Sequence, residues 1–580
     1  MPKRVVAVAA VAVVVALAAW YVLQPDTGVP DGAPTENEMA SSVGAQVMQH
    51  LYLGHVSGRS GEVLMVPKPH HFLISDWDMT QLDGPSPPLG STHPNPWAYL
   101  TRVPIIANGY GAARGLVVED PVDIAGIAPS YAEILEMEDF EAEANPLEEI
   151  AAAGVSKPPP KLIFTIVVDG GGWNTLQQHP DSWPTIRSLA AGGTTYVNAT
   201  IGSAPSITGA LHATFGTGVY PRTHGLPGHV MRDGEGKLVD VYLDEADPRF
   251  LDAPTVSEIW DVSNANRPVV GTVSFEGWHL GMIGHGAQRQ GGDKDIAVLW
   301  ERDDQEWWTN ESYYFLPPYL HGVDEARLSG YEEELDPRDG LTDGTWFGHT
   351  LEELRVPAAR PGTPAFVRLT GDAVLDVILN EPLGQDAVTD LFWIEMKMPD
   401  HAGHSWNMVG PEQADVLKET DAQIARMVST LDRRVGRENY LLVLSADHGQ
   451  QPLPDLHGGW RINTGEVKKD IEERFGKVVE KVTPADIFLD MDAMGRAGWV
   501  PADVARYLGA YTLGDSIPEG KPGADLVPEA RLDDRVFAAA FSTAFLDSLD
   551  PVVDPRRIES FGEGDYAEGS FVLRDRPDGT

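Results

Sequence analysis

The sequence predicts an α/β protein with a doubly wound, mostly parallel sheet, helices on both faces and an inserted or cap subdomain. Residues 162–168, 392–396 and 440–445 form continuous apolar runs rich in β-branched side chains, as expected of parallel strands buried on both faces. Apolar residues recur at helical spacing from Ile424 to Val435, which is typical of a crossover helix between two such strands. Polar residues follow each run closely. Ligands bind at the carboxyl edge of sheets of this kind, so we expect a functional site there.

The first residues of the chain resemble a membrane-targeting segment. Lys3 and Arg4 precede an uninterrupted apolar run of nineteen residues, Val5 to Leu23. At about 1.5 Å per residue, such a helix nearly spans a hydrocarbon core of about 30 Å. The basic flank places the N-terminus in the cytoplasm. We therefore expect residues 1–24 to be a single-pass anchor with the catalytic part extracytoplasmic. Cleavage as a signal peptide, which would give a secreted protein, is the alternative.

Composition shifts divide the rest of the chain. Polar, Gly- and Pro-containing residues predict a tether, and an acidic stretch ending in three prolines predicts a stiff linker. The expected parts are a tether at 25–45, a strand–helix part at 46–135, a linker at 136–160, a main catalytic domain at 161–460 with an insertion at about 244–353, and a smaller subdomain and tail at 461–580.

Charge and cysteine content exclude several classes of protein. The 580 residues include 87 acidic and 43 basic ones, a formal net charge of −44. This excess argues against a nucleic-acid scaffold, since phosphate backbones need clustered Lys and Arg. A small phosphorylated substrate would need a local cation to reverse the field. Cysteine is absent, which excludes disulfides, a thiol nucleophile and thiolate ligands. Any metal must therefore be held by His, Asp or Glu.

Four segments at predicted strand ends or in loops carry residues suited to such a site. They are Asp169, the stretch from Asp400 to His404, the pair Asp447-His448, and a hydroxyl-rich turn from Ser203 to Thr208. Any one alone is weak evidence, because Asp and Thr are common caps and a lone His is usually structural. Together they form a carboxylate–imidazole set that suits Zn²⁺, with Mn²⁺ or Mg²⁺ as alternatives.

These residues lie in motifs that resemble a known family. The motifs are Ile166-Val167-Val168-Asp169-Gly170, Thr208-Gly209-Ala210-Leu211-His212, Thr217 through Gly225, Asp400-x-x-x-His404 and Ser445-Ala446-Asp447-His448-Gly449. In this order they resemble the alkaline phosphatase superfamily, most closely its nucleotide pyrophosphatase/phosphodiesterase branch. The resemblance implies two divalent ions, one held by Asp169, Thr208, Asp447 and His448, the other by Asp400, His404 and a further His.

The resemblance also implies that Thr208 is the nucleophile. Two cations about 3.5–4 Å apart can clamp the attacking and leaving oxygens of an in-line displacement. A hydroxyl held at a cation loses its proton more readily than a free one. Ser203 and Ser206 are weaker candidates. The expected intermediate is a phospho-threonine.

The chain departs from the family pattern at two places. Leu211 stands where the family has an Asn that orients the phosphate. The last His of the second ion normally follows the Asp-His-Gly motif at a distance, yet only His457 does so here. The alternative is His93, because Gly90-Ser91-Thr92-His93-Pro94 and the following Val103-Pro104 resemble the segment that usually closes this domain. On that interpretation the chain is circularly permuted, and we favour His93.

The expected function is hydrolysis of phosphoric esters, with diesters or pyrophosphates as the first choice. A phosphomonoesterase on the same site and a non-catalytic exported binding domain are the alternatives. His212, His224 and His401 are expected to be structural. The aromatic pairs at 307–308 and 313–314 are expected to pack in the core, with stacking on a substrate as the alternative.

Overall fold

A computed structural model describes residues 28–549 except 31, 75–90, 153–157, 243–244, 324 and 518–526. The expected anchor at 1–24 lies outside these residues. Within the part described, no helix has both the length and the apolar content needed to cross a bilayer.

Short strands and helices alternate along most of the chain. The strands are β1 Val63–Pro67, β2 Phe72–Ile74, β3 Arg102–Gly109, β4 Leu116–Val118, β5 Val122–Asp123, β6 Leu162–Val168, β7 Thr194–Thr200, β8 Val230–Arg232, β9 Leu238–Asp240, β10 Val270–Val273, β11 Asp295–Glu301, β12 Glu306–Trp308, β13 Tyr314–Phe315, β14 Thr345–Trp346, β15 His349–Thr350, β16 Asp390–Met396, β17 Tyr440–Ser445, β18 Arg461–Asn463, β19 Val479–Val482, β20 Asp486–Leu489 and β21 Phe537–Ser542. The α-helices are Glu36–Val43, Ala45–Gly54, Ala98–Thr101, Ile127–Ile134, Glu148–Ala151, Trp173–Gln178, Pro184–Gly192, Thr208–Thr217, Pro221–His224, Val256–Ser263, Glu325–Glu333, Leu351–Leu354, Pro364–Asn380, Met398–Trp406, Pro411–Arg434, Pro454–His457, Thr464–Phe475, Met491–Ala497, Pro501–Ala510 and Thr543–Ser548.

An eleven-stranded sheet forms the centre of the molecule, with the main order β12-β11-β10-β16-β6-β17-β3-β7-β4. Strands β11, β10, β16, β6 and β17 run parallel to one another. Alternate residues of β6 enter opposite cores: Phe164 and Ile166 pack with helix Pro364–Asn380, whereas Ile163 and Val167 pack with helix Thr208–Thr217. Helices therefore cover both faces. The predicted doubly wound, mostly parallel fold is confirmed.

The segment before the proline linker contributes to this sheet. Strand β3 pairs antiparallel with β17 on one side and with β7 on the other. The helix Ile127–Ile134 packs on the same face as Thr208–Thr217. Residues 91–135 and the chain after 161 therefore share one core. That this segment is the permuted end of the domain stays a prediction.

The region expected to be an insertion, about 244–353, differs from that expectation. Strands β10 and β11 lie inside it and belong to the central sheet, with β10 paired to β16. Strand β10 is an interior strand of the central sheet, and every one of its residues is buried. At four residues, β10 is too short to give a strong sequence signal.

A second sheet has the order β19-β20-β1-β21. Strand β1 comes from before the linker, and its neighbours β20 and β21 come from the region expected to be a separate subdomain at 461–580. The core beside it includes Val63, Phe475 and Leu508. The smaller unit is thus built from both ends of the described chain.

Candidate metal centre

The carboxyl ends of three neighbouring strands meet at one place. Asp169 directly follows β6, Lys397 follows β16, and Asp447 comes two residues after β17. The register aligns them, because Val168 lies opposite Met396 and Val167 opposite Ser445. Polar groups brought together here are cut off from bulk water: Asp169 and Asp447 are both 0% exposed.

Asp169, Asp447 and His448 form the first carboxylate–imidazole group. The Nε2 atom of His448 is 3.3 Å from Asp169 Oδ1 and 3.3 Å from Asp447 Oδ2. A tetrahedral ion with bonds of about 2.0 Å separates its ligand atoms by about 3.3 Å. These three facing atoms have no hydrogen-bond partner although they are buried. The group therefore fits a divalent cation.

Asp400, His404 and His93 form the second group. Asp400 and His404 lie one turn apart on the helix Met398–Trp406, with Nε2 3.2 Å from Oδ2. His93 arrives from the segment before the linker, and its Nε2 is 3.7 Å from Asp400 Oδ1. Its ring stacks on His448 with centroids 3.6 Å apart. The two groups are therefore adjacent.

His457, the alternative to His93, lies elsewhere. It is exposed, and its ring stacks on His70 at a centroid distance of 4.5 Å. His70 in turn stacks on Tyr99. The structure thus brings His93, and not His457, to Asp400 and His404.

The tautomer of each ligand-type histidine is set by a backbone carbonyl. Nδ1 of His93 is 2.6 Å from the Ser206 carbonyl, Nδ1 of His404 is 2.7 Å from the Ser91 carbonyl, and Nδ1 of His448 is 3.0 Å from the Gly449 carbonyl. A carbonyl oxygen can only accept, so each Nδ1 carries the proton and each Nε2 presents a lone pair. Such outer hydrogen bonds orient imidazoles for metal binding.

Thr208 is the first residue of the buried helix Thr208–Thr217. Ile207 occupies the N-cap position, and no side chain caps the helix. The Thr208 hydroxyl therefore does not cap the helix, which is the common structural role of a Thr at a helix start. Its Oγ1 lies 3.4 Å from Lys397 Nζ. Free N–H groups at this helix end favour an incoming phosphoryl oxygen.

Lys397 lies between the two groups and is not among the site residues predicted from the sequence. Its Nζ is 2.8 Å from Asp169 Oδ2 and 2.8 Å from Asp400 Oδ2, so it joins the two groups. Burial by itself lowers the pKa of Lys397, but the surrounding carboxylates, Asp169 foremost, raise it well above its usual range. The signal in the sequence is its place directly after an apolar strand, the same position that marks Asp169.

The carboxylates respond differently to their surroundings. Burial, and then the charge of Asp169, raise the pKa of Asp447 well above its usual range. Burial also acts to raise the pKa of Asp400, but His404 and Lys397 outweigh it and hold that pKa well below normal. Crowded carboxylates with one resident ammonium make an environment that attracts further cations.

Three more buried residues lie near Asp169. His279 Nε2 is 3.7 Å from Asp169 Oδ2 and 3.6 Å from Glu395 Oε1. Ligand-type atoms of Asp169, His212 and His279 all lie within 4.8 Å of one another. Glu395 interrupts an apolar strand, which is a readable signal. His279 lies in a short 3₁₀ helix that nothing in the sequence marks.

The other predicted residues have local roles. Nδ1 of His212 is 2.9 Å from the Thr208 carbonyl, and His224 bonds Thr214. His401 packs edge-on against Phe275. The hydroxyl of Ser206 donates to the His93 carbonyl.

The aromatic pairs and Leu211 also lie within the fold. Trp307 and Tyr314 are buried in the cores, whereas Trp308 and Tyr313 are partly buried against one of them. Leu211 is fully buried and offers no polar side-chain atom.

Comparison with known proteins identifies the family of the chain. Residues 163–527 match the family described as type I phosphodiesterase/nucleotide pyrophosphatase. The chain belongs to that family. It is 24% identical over 378 residues to alkaline phosphatase PafA of Elizabethkingia meningoseptica, covering 57% of this chain and 67% of that protein. It is 25% identical over 384 residues to a Myroides odoratus protein named a calcium-transporting ATPase, with the same coverage.

A solved structure shares the fold of this chain. The crystal structure of PafA superposes with a TM-score of 0.53 at 19% identity, over 67% of this chain and 85% of that one, which shows a shared fold. The chain is therefore a member of the alkaline phosphatase superfamily and a hydrolase of phosphoric esters. That superfamily is metal-dependent, and the described residues include clusters that could hold a metal ion, among them Asp169 with Asp447 and His448, and His93 with Asp400 and His448. The alternative of a non-catalytic binding domain is thereby set aside.

Proposed function

We propose that the protein hydrolyses phosphodiesters or pyrophosphates through a phospho-threonine at Thr208. The observation that carries the proposal is the position of the Thr208 hydroxyl. It opens a buried helix and faces Lys397, which joins the Asp169 group to the Asp400 group. The family match favours diesters and pyrophosphates as substrates.

The covalent chemistry follows from this position. Thr208 Oγ1 forms a bond to phosphorus while the bond from phosphorus to the leaving oxygen breaks, and the proton of the Thr208 hydroxyl ends on that leaving oxygen. Water then attacks the same phosphorus, the bond to Oγ1 breaks, and a proton from that water restores the hydroxyl. A diester thus yields a monoester and an alcohol. The backbone N–H groups at the start of the helix are placed to hold a phosphoryl oxygen in both steps.

Two divalent ions of the zinc type would supply the Lewis acidity for these steps. One set of ligands would be Asp169, Thr208, Asp447 and His448, and the other Asp400, His404 and His93. The unpartnered, buried Oδ1 of Asp169, Oδ2 of Asp447 and Nε2 of His448 support the first set. Nitrogen and oxygen donors without thiolate suit zinc best, with manganese or magnesium as alternatives.

Phosphomonoester hydrolysis is the second candidate. The observation that favours it is the buried ammonium of Lys397 beside the nucleophile. A fixed positive charge favours a dianionic phosphoryl group, and the curated relative PafA is named an alkaline phosphatase. For cellular location, we propose that residues 1–24 place the domain outside the cytoplasmic membrane, anchored or secreted.

Substitution of Thr208 tests the proposal. Thr208→Ala is expected to lower kcat on an aryl phosphodiester by at least about 10³-fold, as loss of a nucleophile does in other hydrolases. Thr208→Ser keeps a hydroxyl and should retain measurable turnover. Thr217→Ala is the matched control, because its hydroxyl lies at the other end of the same helix and bonds Ala213. Undiminished hydrolysis by Thr208→Ala would refute the proposed mechanism.

A further inference from the structure

Lys397 lies between the two candidate metal groups and faces the nucleophile. We propose that its ammonium contacts the transferred phosphoryl group and sets how strongly the enzyme favours a phosphoryl group with two negative charges over one with a single charge. Lys397 would then be a catalytic residue and the determinant of monoester against diester turnover. The inference rests on the proposed function, since it takes Thr208 as the nucleophile.

Lys397 faces the nucleophile as well as the carboxylates. An ammonium has three donor hydrogens. Lys397 donates to Asp169 Oδ2 at 2.8 Å and to Thr208 Oγ1 at 3.4 Å, and its nitrogen also forms an ion pair with Asp400 Oδ2 at 2.8 Å. Reacting atoms must approach to about 3–3.5 Å before displacement. A phosphorus that close to Thr208 Oγ1 brings a non-bridging oxygen within hydrogen-bond reach of Lys397.

Burial increases the effect of this charge. Lys397 is 4% exposed, and lysine is almost never fully buried without a partner. Little water competes for the donor that faces Thr208, so charge–charge attraction is weakly screened there. Leu211, one turn along the nucleophile helix, has no polar side-chain atom that could make such a contact. Lys397 would therefore supply the phosphoryl contact that Leu211, which stands in place of the family's Asn, cannot make.

The charge of the substrate determines which reaction depends on Lys397 most. A phosphomonoester dianion carries one more negative charge on its non-bridging oxygens than a diester monoanion. Removing a fixed positive charge beside those oxygens costs the dianion more. Metal retention should not suffer, because taking a cation away from among carboxylates strengthens their attraction for divalent ions.

The experiment compares Lys397→Met with the wild-type full chain, both loaded with zinc. The substrates are an aryl phosphate monoester and the diester that carries the same leaving group. Loss of one transition-state donor typically costs 10²–10³-fold, so we expect roughly a 100-fold or greater fall in kcat/KM on the monoester and about a 10-fold fall on the diester. Zinc content per chain, measured by mass spectrometry, should equal that of the wild type.

Lys161→Met is the matched control. It removes the same charge at the opposite end of β6, next to Leu162, and should leave both substrates unchanged. Equal losses on the two substrates would overturn the inference, as would loss of zinc from Lys397→Met, because either would mean that the lysine only organises the carboxylates. Failure of the proposed function itself is recognised separately, by activity that survives Thr208→Ala.

Discussion

His93→Ala removes a side chain that the segment before the linker contributes to the second metal group. The ring is 6% exposed, its Nδ1–H donates to the Ser206 carbonyl at 2.6 Å, and its Nε2 faces Asp400 at 3.7 Å. Loss of an outer hydrogen bond to a metal ligand alone costs about 10–100-fold in affinity. Loss of a ligand should cost on the order of 100-fold or more, which equals about 2.7 kcal/mol.

The assay is metal stoichiometry at controlled free zinc. We expect the wild type to hold about two ions per chain and His93→Ala to hold about one at a free zinc concentration about tenfold above the wild-type dissociation constant. His457→Ala is the matched control, since His457 is exposed and stacks on His70. His93→Gln keeps most of the side-chain volume, so it separates loss of a ligand from a packing defect. Two tightly held ions in both His93 variants, or loss of one in His457→Ala, would refute this assignment.

Two other predictions concern stability. Burial and the neighbouring Glu62 raise the pKa of Asp486 to about 7. Its contribution to stability is therefore present at low pH and is lost as the pH rises from about 4 through about 7. Asp486→Asn should increase the free energy of unfolding by at most about 4 kcal/mol at pH 8 and by less than half of that at pH 5; an equal change at both values would contradict this. Tyr220 donates a buried 2.6 Å hydrogen bond to Asp123, so Tyr220→Phe should cost about 1–3 kcal/mol in urea unfolding, whereas the exposed Tyr319→Phe should cost little. Equal midpoints for the two variants would show that this contact does not hold Asp123 to the segment that follows the nucleophile helix.

The buried parallel strands could be predicted from sequence because their physics is local. A strand buried on both faces must be apolar throughout, and residues 162–168 and 440–445 are the observed β6 and β17. The same rule placed Asp169 and Asp447 at adjacent strand ends. Short strands are harder to predict. Strand β10 has four residues and contains Gly271, so its sequence does not distinguish it from an insertion.

The residues that were missed depend on tertiary register. Lys397 meets Asp169 because β16 and β6 end at the same level, and it meets Asp400 because a helix begins at Met398. Neither fact can be read from residue type or spacing alone. His279 reaches Asp169 from a 3₁₀ helix that follows β10. Strand β10 is itself too short to be predicted from the sequence. By contrast, His93 was found because its neighbours carry a family pattern, although in an unusual place along the chain.

Trapping the phosphorylated enzyme tests most directly whether Thr208 is the nucleophile. The zinc-loaded wild type would be mixed with an aryl phosphate, quenched in acid within a single turnover and digested for peptide mass spectrometry. We predict one added phosphoryl group on the peptide that contains Thr208, localised to that residue by fragmentation and absent from Thr208→Ala. A phosphoryl group on Ser203 or Ser206, or single-turnover hydrolysis with no phosphorylated peptide at any time, would contradict it.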